Sequence, residues 1–249
     1  MTPALRHARR ADHAASSDAQ TPASRAVQVA LDELADRTPR SDPVLRRTGG
    51  PAGNARITAW TGLILLVLLA IEGWTILDIR GLISWHIIVG LLLVPPALVK
   101  VGSTGWRIVR YYTGHTAYQQ AGPPQPVMRV LGPLVILLTL AVLATGILVA
   151  VEGPAERHHG LLGLPVTALF LHQASFFAWL AVMTLHVLGR TVRATRIVAG
   201  RSRPRVRVAG TGARSVILVV MALGSVILAL LLASPWIQAW QEQGFRFRH

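Results

Sequence analysis

Five long runs of apolar residues, separated by short polar segments, set the plan of the chain: 57–77, 82–101, 130–151, 166–188 and 215–233. Crossing a hydrocarbon core about 30 Å thick takes about 20 residues of helix, and each run has that length. Lipid offers no partner for backbone N–H and C=O groups, so each run must satisfy them internally, which predicts helices rather than strands. The expected fold is all-α: an integral membrane bundle of five transmembrane helices behind a disordered N-terminal tail. Residues 1–55 have no apolar core of the kind a cleavable signal needs. Rich in Arg, Ala, Ser, Thr, Pro and Asp, they read as a mostly disordered basic tail, with a short amphipathic helix expected from Val27 to Ala35. The Pro95-Pro96 pair predicts a kink in the second run.

Composition agrees with lipid as the solvent. The 249 residues are 52% hydrophobic and only 14% charged, against about 25% charged in a soluble domain, and the mean hydropathy is +0.47. A net charge of +14 would suit nucleic acid, but the basic residues gather between the apolar runs, as membrane topology requires. Lipid is therefore the expected partner and nucleic acid is not. Without cysteine, disulfide frameworks, thiolate metal sites and cysteine nucleophiles are excluded. Of the 25 Lys and Arg residues, nine lie in the tail, four at or between the second and third runs, and eight before the fifth. The remaining four, Arg80, Arg157, Arg246 and Arg248, fall on the opposite face. The expected placement is a multi-pass protein of a bacterial plasma membrane with its N-terminus cytoplasmic and its C-terminus outside. Arginine in place of lysine, together with abundant alanine, is what suggests the bacterial source.

Ionisable residues inside spans are costly and point to function; here they are Glu72, His86, Lys100, His172 and His186. His86 and His172 lie at similar depth on different spans, near the outer face. Two imidazoles so placed can clamp a haem iron from both sides, since cofactor sites in bundles are built from facing side chains. His186 follows His172 by fourteen residues, which is about 21 Å of rise and some 40° short of four full turns. The two therefore share one face at opposite depths, as expected of a helix serving two stacked haems. The plainer alternative is a histidine hydrogen-bonded to a neighbouring carbonyl or hydroxyl, or, for His186, one reaching to water at the span's end. Gly62, Gly90 and Gly146 leave gaps that suit either a flat macrocycle or close helix packing. Glu72 is expected to pair with Arg80. Arg80 and Arg157 suit haem propionates or are solvated loop charges, and His158 and His159 read as polar loop residues.

The stretch from His86, HIIVGLLLVPPALVKVGSTGWRIVRYYTGHTAYQQAGPP, and the later LHQASFFAWLAVMTLHVLGR resemble the prokaryotic cytochrome b membrane subunits. These accompany formate dehydrogenases, hydrogenases and molybdopterin oxidoreductases; the nearer likeness is to a cytochrome b/b6-domain branch. The resemblance covers about residues 56–190 and implies a four-helix haem-binding core there, followed over 191–249 by a basic loop, a fifth helix and a short outer tail. It implies that His86 and His172 ligate an outer haem b. It also assigns His186 to an inner haem whose second ligand would stand at the start of the first span. That position is Ala59, before Trp60, and no histidine occurs between His13 and His86. One haem is expected; a second would need an unusual or partner-supplied ligand.

The implied role is an electron-transfer subunit rather than a stand-alone catalyst. It would link the quinone pool to a redox partner such as a molybdopterin oxidoreductase, with the basic aromatic segments 107–112 and 122–124 bordering a quinone or partner site or serving as interfacial anchors. The competing expectation is a haem-free polytopic protein, either a small transporter or a membrane anchor for a soluble enzyme.

Overall fold

The computed structural model describes residues 21–34, 42–123, 126–154, 160, 165–200 and 208–244. Among these, the chain forms helices α1 (Pro22–Leu34), α2 (Gly50–Leu77), α3 (Ile83–Tyr112), α4 (Thr116–Gln120), α5 (Pro126–Glu152), α6 (Ala168–Val198) and α7 (Thr211–Gly244), and no strand. Five of them, α2, α3, α5, α6 and α7, are long and apolar enough to cross a membrane. Arg157, His158, His159, Arg246 and Arg248 lie outside the described residues.

The helices outrun the apolar runs that predict them. α3 continues through Tyr112 and α6 through Val198, because their last turns exchange lipid contact for polar anchoring. Arg110 stacks over the Trp106 ring at 4.4 Å, and Arg107 and Arg193 donate to Asp42. Pro95 and Pro96 lie inside α3 without ending it. At the start of α6, the Thr167 hydroxyl accepts the Phe170 N–H at 3.1 Å, satisfying one of the orphan donors of a helix N-terminus. α2 begins with Gly49 at φ 76°, and a Cβ there would stand 2.7 Å from the Ala209 carbonyl oxygen. Glycine is needed on both counts.

α2 lies along α3, and α5 along α6, making two antiparallel hairpins. α2 also meets α6, and α3 meets α5, so the four helices close a ring with α3 and α6 on a diagonal. α7 packs outside this ring against α3, where Ala229 and Ala233 let it approach Ile87 and Leu91 closely. Side chains such as Val130, Leu137, Val219 and Leu230 stand open along α5 and α7, which is the lipid-facing belt that a bundle of this hydropathy presents.

Part of the N-terminal tail is held on the bundle. Asp42 accepts hydrogen bonds from Arg107 at 2.8 Å and Arg193 at 3.2 Å, joining the ends of α3 and α6. Arg214 donates to the nearby carbonyls of Ala209 at 2.7 Å and Val208 at 2.9 Å, and to the Thr48 carbonyl at 3.4 Å, which holds the start of α7 against the segment before α2. These contacts gather at one end of the bundle, called here the basic end. Asp42→Ala removes both charge-assisted bonds, which are partly exposed and so together hold the tail by about 1–2 kcal/mol. Trypsin cleavage at the exposed Arg46 and Arg47 should then accelerate several-fold in the detergent-solubilised protein. An unchanged rate would show that Asp42 does not hold the tail.

Candidate functional site

At the end of the bundle opposite the basic end, α3 and α6 each point a histidine inward. His86 lies in the first turn of α3 and His172 in the second turn of α6. Their ring centroids are 6.3 Å apart with an interplanar angle of 69°. The diagonal placement of α3 and α6 is what lets two side chains face each other across the bundle rather than along a helix–helix seam.

Each ring is held by the helix paired with its own. His86 Nδ1 lies 2.9 Å from Thr75 Oγ1 and 3.0 Å from Glu72 Oε1, both on α2. The Thr75 hydroxyl already donates to the Glu72 carbonyl at 2.6 Å, so towards His86 it accepts. His172 Nδ1 lies 3.2 Å from the Val142 carbonyl and 3.3 Å from Thr145 Oγ1 on α5. A carbonyl only accepts, and the Thr145 hydroxyl donates to Ala141 at 2.7 Å. Both imidazoles therefore carry their proton on Nδ1 and donate it. Neither Nε2 makes a hydrogen bond among the described residues, and each keeps a lone pair. This is the state in which an imidazole ligates a metal, with its other ring nitrogen anchored by a carbonyl or carboxylate.

Gly146 makes room for the ring of His172. A Cβ at Gly146 would come within 3.0 Å of His172 Cε1, and one at Gly90 within 3.5 Å of Glu72 Oε1. The gaps that the sequence offers to a macrocycle or to helix packing are thus filled by the ring of His172 and the carboxyl of Glu72. Glu72 turns inward to His86 rather than outward to Arg80, because Arg80 lies beyond the end of α2, in the turn, while His86 lies directly across the helix seam. The hydroxyls of Thr75 and Thr145 were not singled out from sequence. A threonine near a buried ionisable residue on a lipid-borne helix was the available signal, since such hydroxyls seek partners across helices.

His186 is not brought to this pair. It lies towards the basic end of α6, half-buried, and its Nδ1 is buried without a hydrogen-bond partner. Lys100, on α3, donates from Nζ to the Thr58 carbonyl of α2 at 2.6 Å. It sits where a Cβ at Gly62 would be 2.7 Å away, so a third glycine gap is taken by an ammonium. Among the described residues no group of three or more His, Cys, Asp or Glu gathers as metal ligands.

A groove of about 530 Å³ runs between α3 and α7, lined by Ile88, Leu92, Leu230 and Gln241 among others. Ile88 is about 200° around α3 from His86, so this groove opens away from the histidines. Compared with known protein families, curated proteins and solved structures, the chain matches none.

In the purified chain labelled with ¹⁵N-histidine and free of any bound metal, His86 and His172 should both give the spectrum of the Nδ1–H tautomer, and Thr75→Val should weaken that preference at His86. An Nε2–H tautomer at both rings in the unaltered chain would contradict the arrangement.

Proposed function

We propose that the chain is a membrane cytochrome b in which His86 and His172 together would hold one haem b. The observation that carries this reading is the facing pair 6.3 Å apart with both Nδ1–H groups tied and both Nε2 lone pairs available. With metal–imidazole bonds of about 2.0 Å, as in zinc sites, two rings on one axis have centroids roughly 6 Å apart. Two protein ligands are too few for a bare ion, which takes about four; they suffice for an iron whose other four positions belong to a porphyrin.

The haem would supply one-electron chemistry, and the protein its binding, orientation and tuning. Glu72 and Thr75 hold His86, and Val142 and Thr145 hold His172, fixing each ring and strengthening it as a ligand. With the iron held by a protein ligand from each hairpin, the site would suit electron transfer rather than oxygen binding. The proposed role is passage of electrons between the quinone pool and a redox partner, in the manner of subunits serving molybdopterin oxidoreductases. The basic end would face the cytoplasm of a bacterial cell, by the positive-inside rule, and the histidine pair would lie near the outer surface.

The reading includes a single haem. At the level where an inner ligand would stand, α2 carries buried Ala59, and its neighbours Thr58 and Gly62 receive the Lys100 ammonium. An ammonium cannot ligate iron, and His186 alone does not make a pair.

The test is haem stoichiometry and the reduced-minus-oxidised visible spectrum of the purified protein and three variants. The expected outcome is one low-spin b-type haem per chain. His86→Ala and His172→Ala should each lose at least nine-tenths of that signal, while His186→Ala keeps it. A colourless preparation from haem-replete cells would sink the proposal in favour of a haem-free membrane protein, and two haems per chain would sink the single-haem part.

A further inference from the structure

α1 has a division of residues that the bundle does not use. At 100° per residue, Ala23, Ala26, Val27 and Leu31 fall within an arc of about 140°, and Ser24, Arg25, Gln28 and Asp32 occupy the other side. Gln28 donates to Asp32 at 3.2 Å along that polar side; Val29 alone departs from the division. The apolar arc is not packed: Val27 is 59% and Leu31 51% exposed, although α1 does rest against α6 and α5.

Where α1 lies follows from its tether. Leu34 and Asp42 are eight residues apart, a reach of at most about 28 Å, and Asp42 is fixed at the basic end by Arg107 and Arg193. α1 is therefore confined to that end, beside the turns where α5 and α6 meet the bilayer surface. Those turns present open apolar side chains, Val130 at 70% and Leu188 at 66% exposure, so the lipid-facing belt continues directly to the position of α1. A helix with one apolar and one polar face at that depth matches the headgroup–acyl boundary, where its apolar side chains leave water and its polar ones do not.

We propose that α1 is an interfacial anchor that lies flat on the bilayer at the basic end, with Val27 and Leu31 sunk among the lipids and Gln28 turned to water. This needs only the membrane bundle and is independent of the haem. The absence of native cysteine makes the test clean. Val27→Cys, Leu31→Cys and Gln28→Cys in the full chain are each labelled with an environment-sensitive fluorophore and reconstituted, one copy per nanodisc, with lipids spin-labelled near the headgroup. The label at 27 and 31 should be blue-shifted and quenched at least three-fold more than at 28. Equal quenching at all three positions would overturn the proposal. So would a shift at 27 and 31 that arises only with two copies per disc, or only on adding a soluble protein, since the arc would then be a protein interface.

Discussion

A polar side chain inside lipid has to be met by another helix, and that requirement decides which helices of this bundle pair and in what register. Hydrophobicity alone cannot do it, since lipid tails are as apolar as the side chains they replace. α2 and α3 are pinned at both ends: by Glu72 and Thr75 to His86 near one, and by Asn54, Thr58, Ser103 and Lys100 near the other. α5 and α6 are pinned by Val142 and Thr145 to His172, and again by Thr139, which accepts the indole N–H of buried Trp179 at 3.0 Å. Each such contact contributes about 0.6–2 kcal/mol, modest singly. Two per hairpin at different depths fix both sliding and rotation.

The two pinned hairpins then differ from the seam between them. α3 and α6, the helices that carry the facing histidines, stand on a diagonal, and their meeting is made by side chains alone. A ligand bound through His86 and His172 would thus join one hairpin to the other across the middle of the ring. On the proposed reading, the hydrogen bonds within each hairpin orient the ligands, and ligation closes the bundle. The same groups that make the fold specific would then make the site specific, Glu72 among them.

The spans were legible because an apolar run of twenty residues has few other uses, and the depth of the histidine pair was legible because turns can be counted along a helix. What could not be read was direction. Glu72 was expected to reach Arg80, eight residues on along the chain; it meets His86 instead, because the seam with α3 is nearer than the turn. The glycine gaps had the same fault: Gly62, Gly90 and Gly146 announce space without naming its occupant, and the occupants are Lys100, Glu72 and His172. Helix ends were underread where hydropathy falls but helix formation does not, as along α3 after Val101, where Trp106, Arg107 and Arg110 anchor to neighbouring groups instead of lipid.

The contrast between the two ends of the bundle carries the last step. Near one end, two imidazoles from different hairpins come together with Nδ1 of each held by its neighbouring helix and Nε2 of each without a hydrogen bond among the described residues. Towards the basic end, the equivalent level is occupied by an ammonium on a backbone carbonyl and by a histidine whose buried Nδ1 has no hydrogen-bond partner. On the proposed reading the first arrangement would receive the haem between the hairpins; the second is a cation buried against α2, at the end where Asp42 holds the tail. In the proposed cytochrome, the path for electrons would then lie within one half of the membrane. Donor and acceptor would have to approach from that side or from the lipid around it, while the basic end serves to anchor the chain.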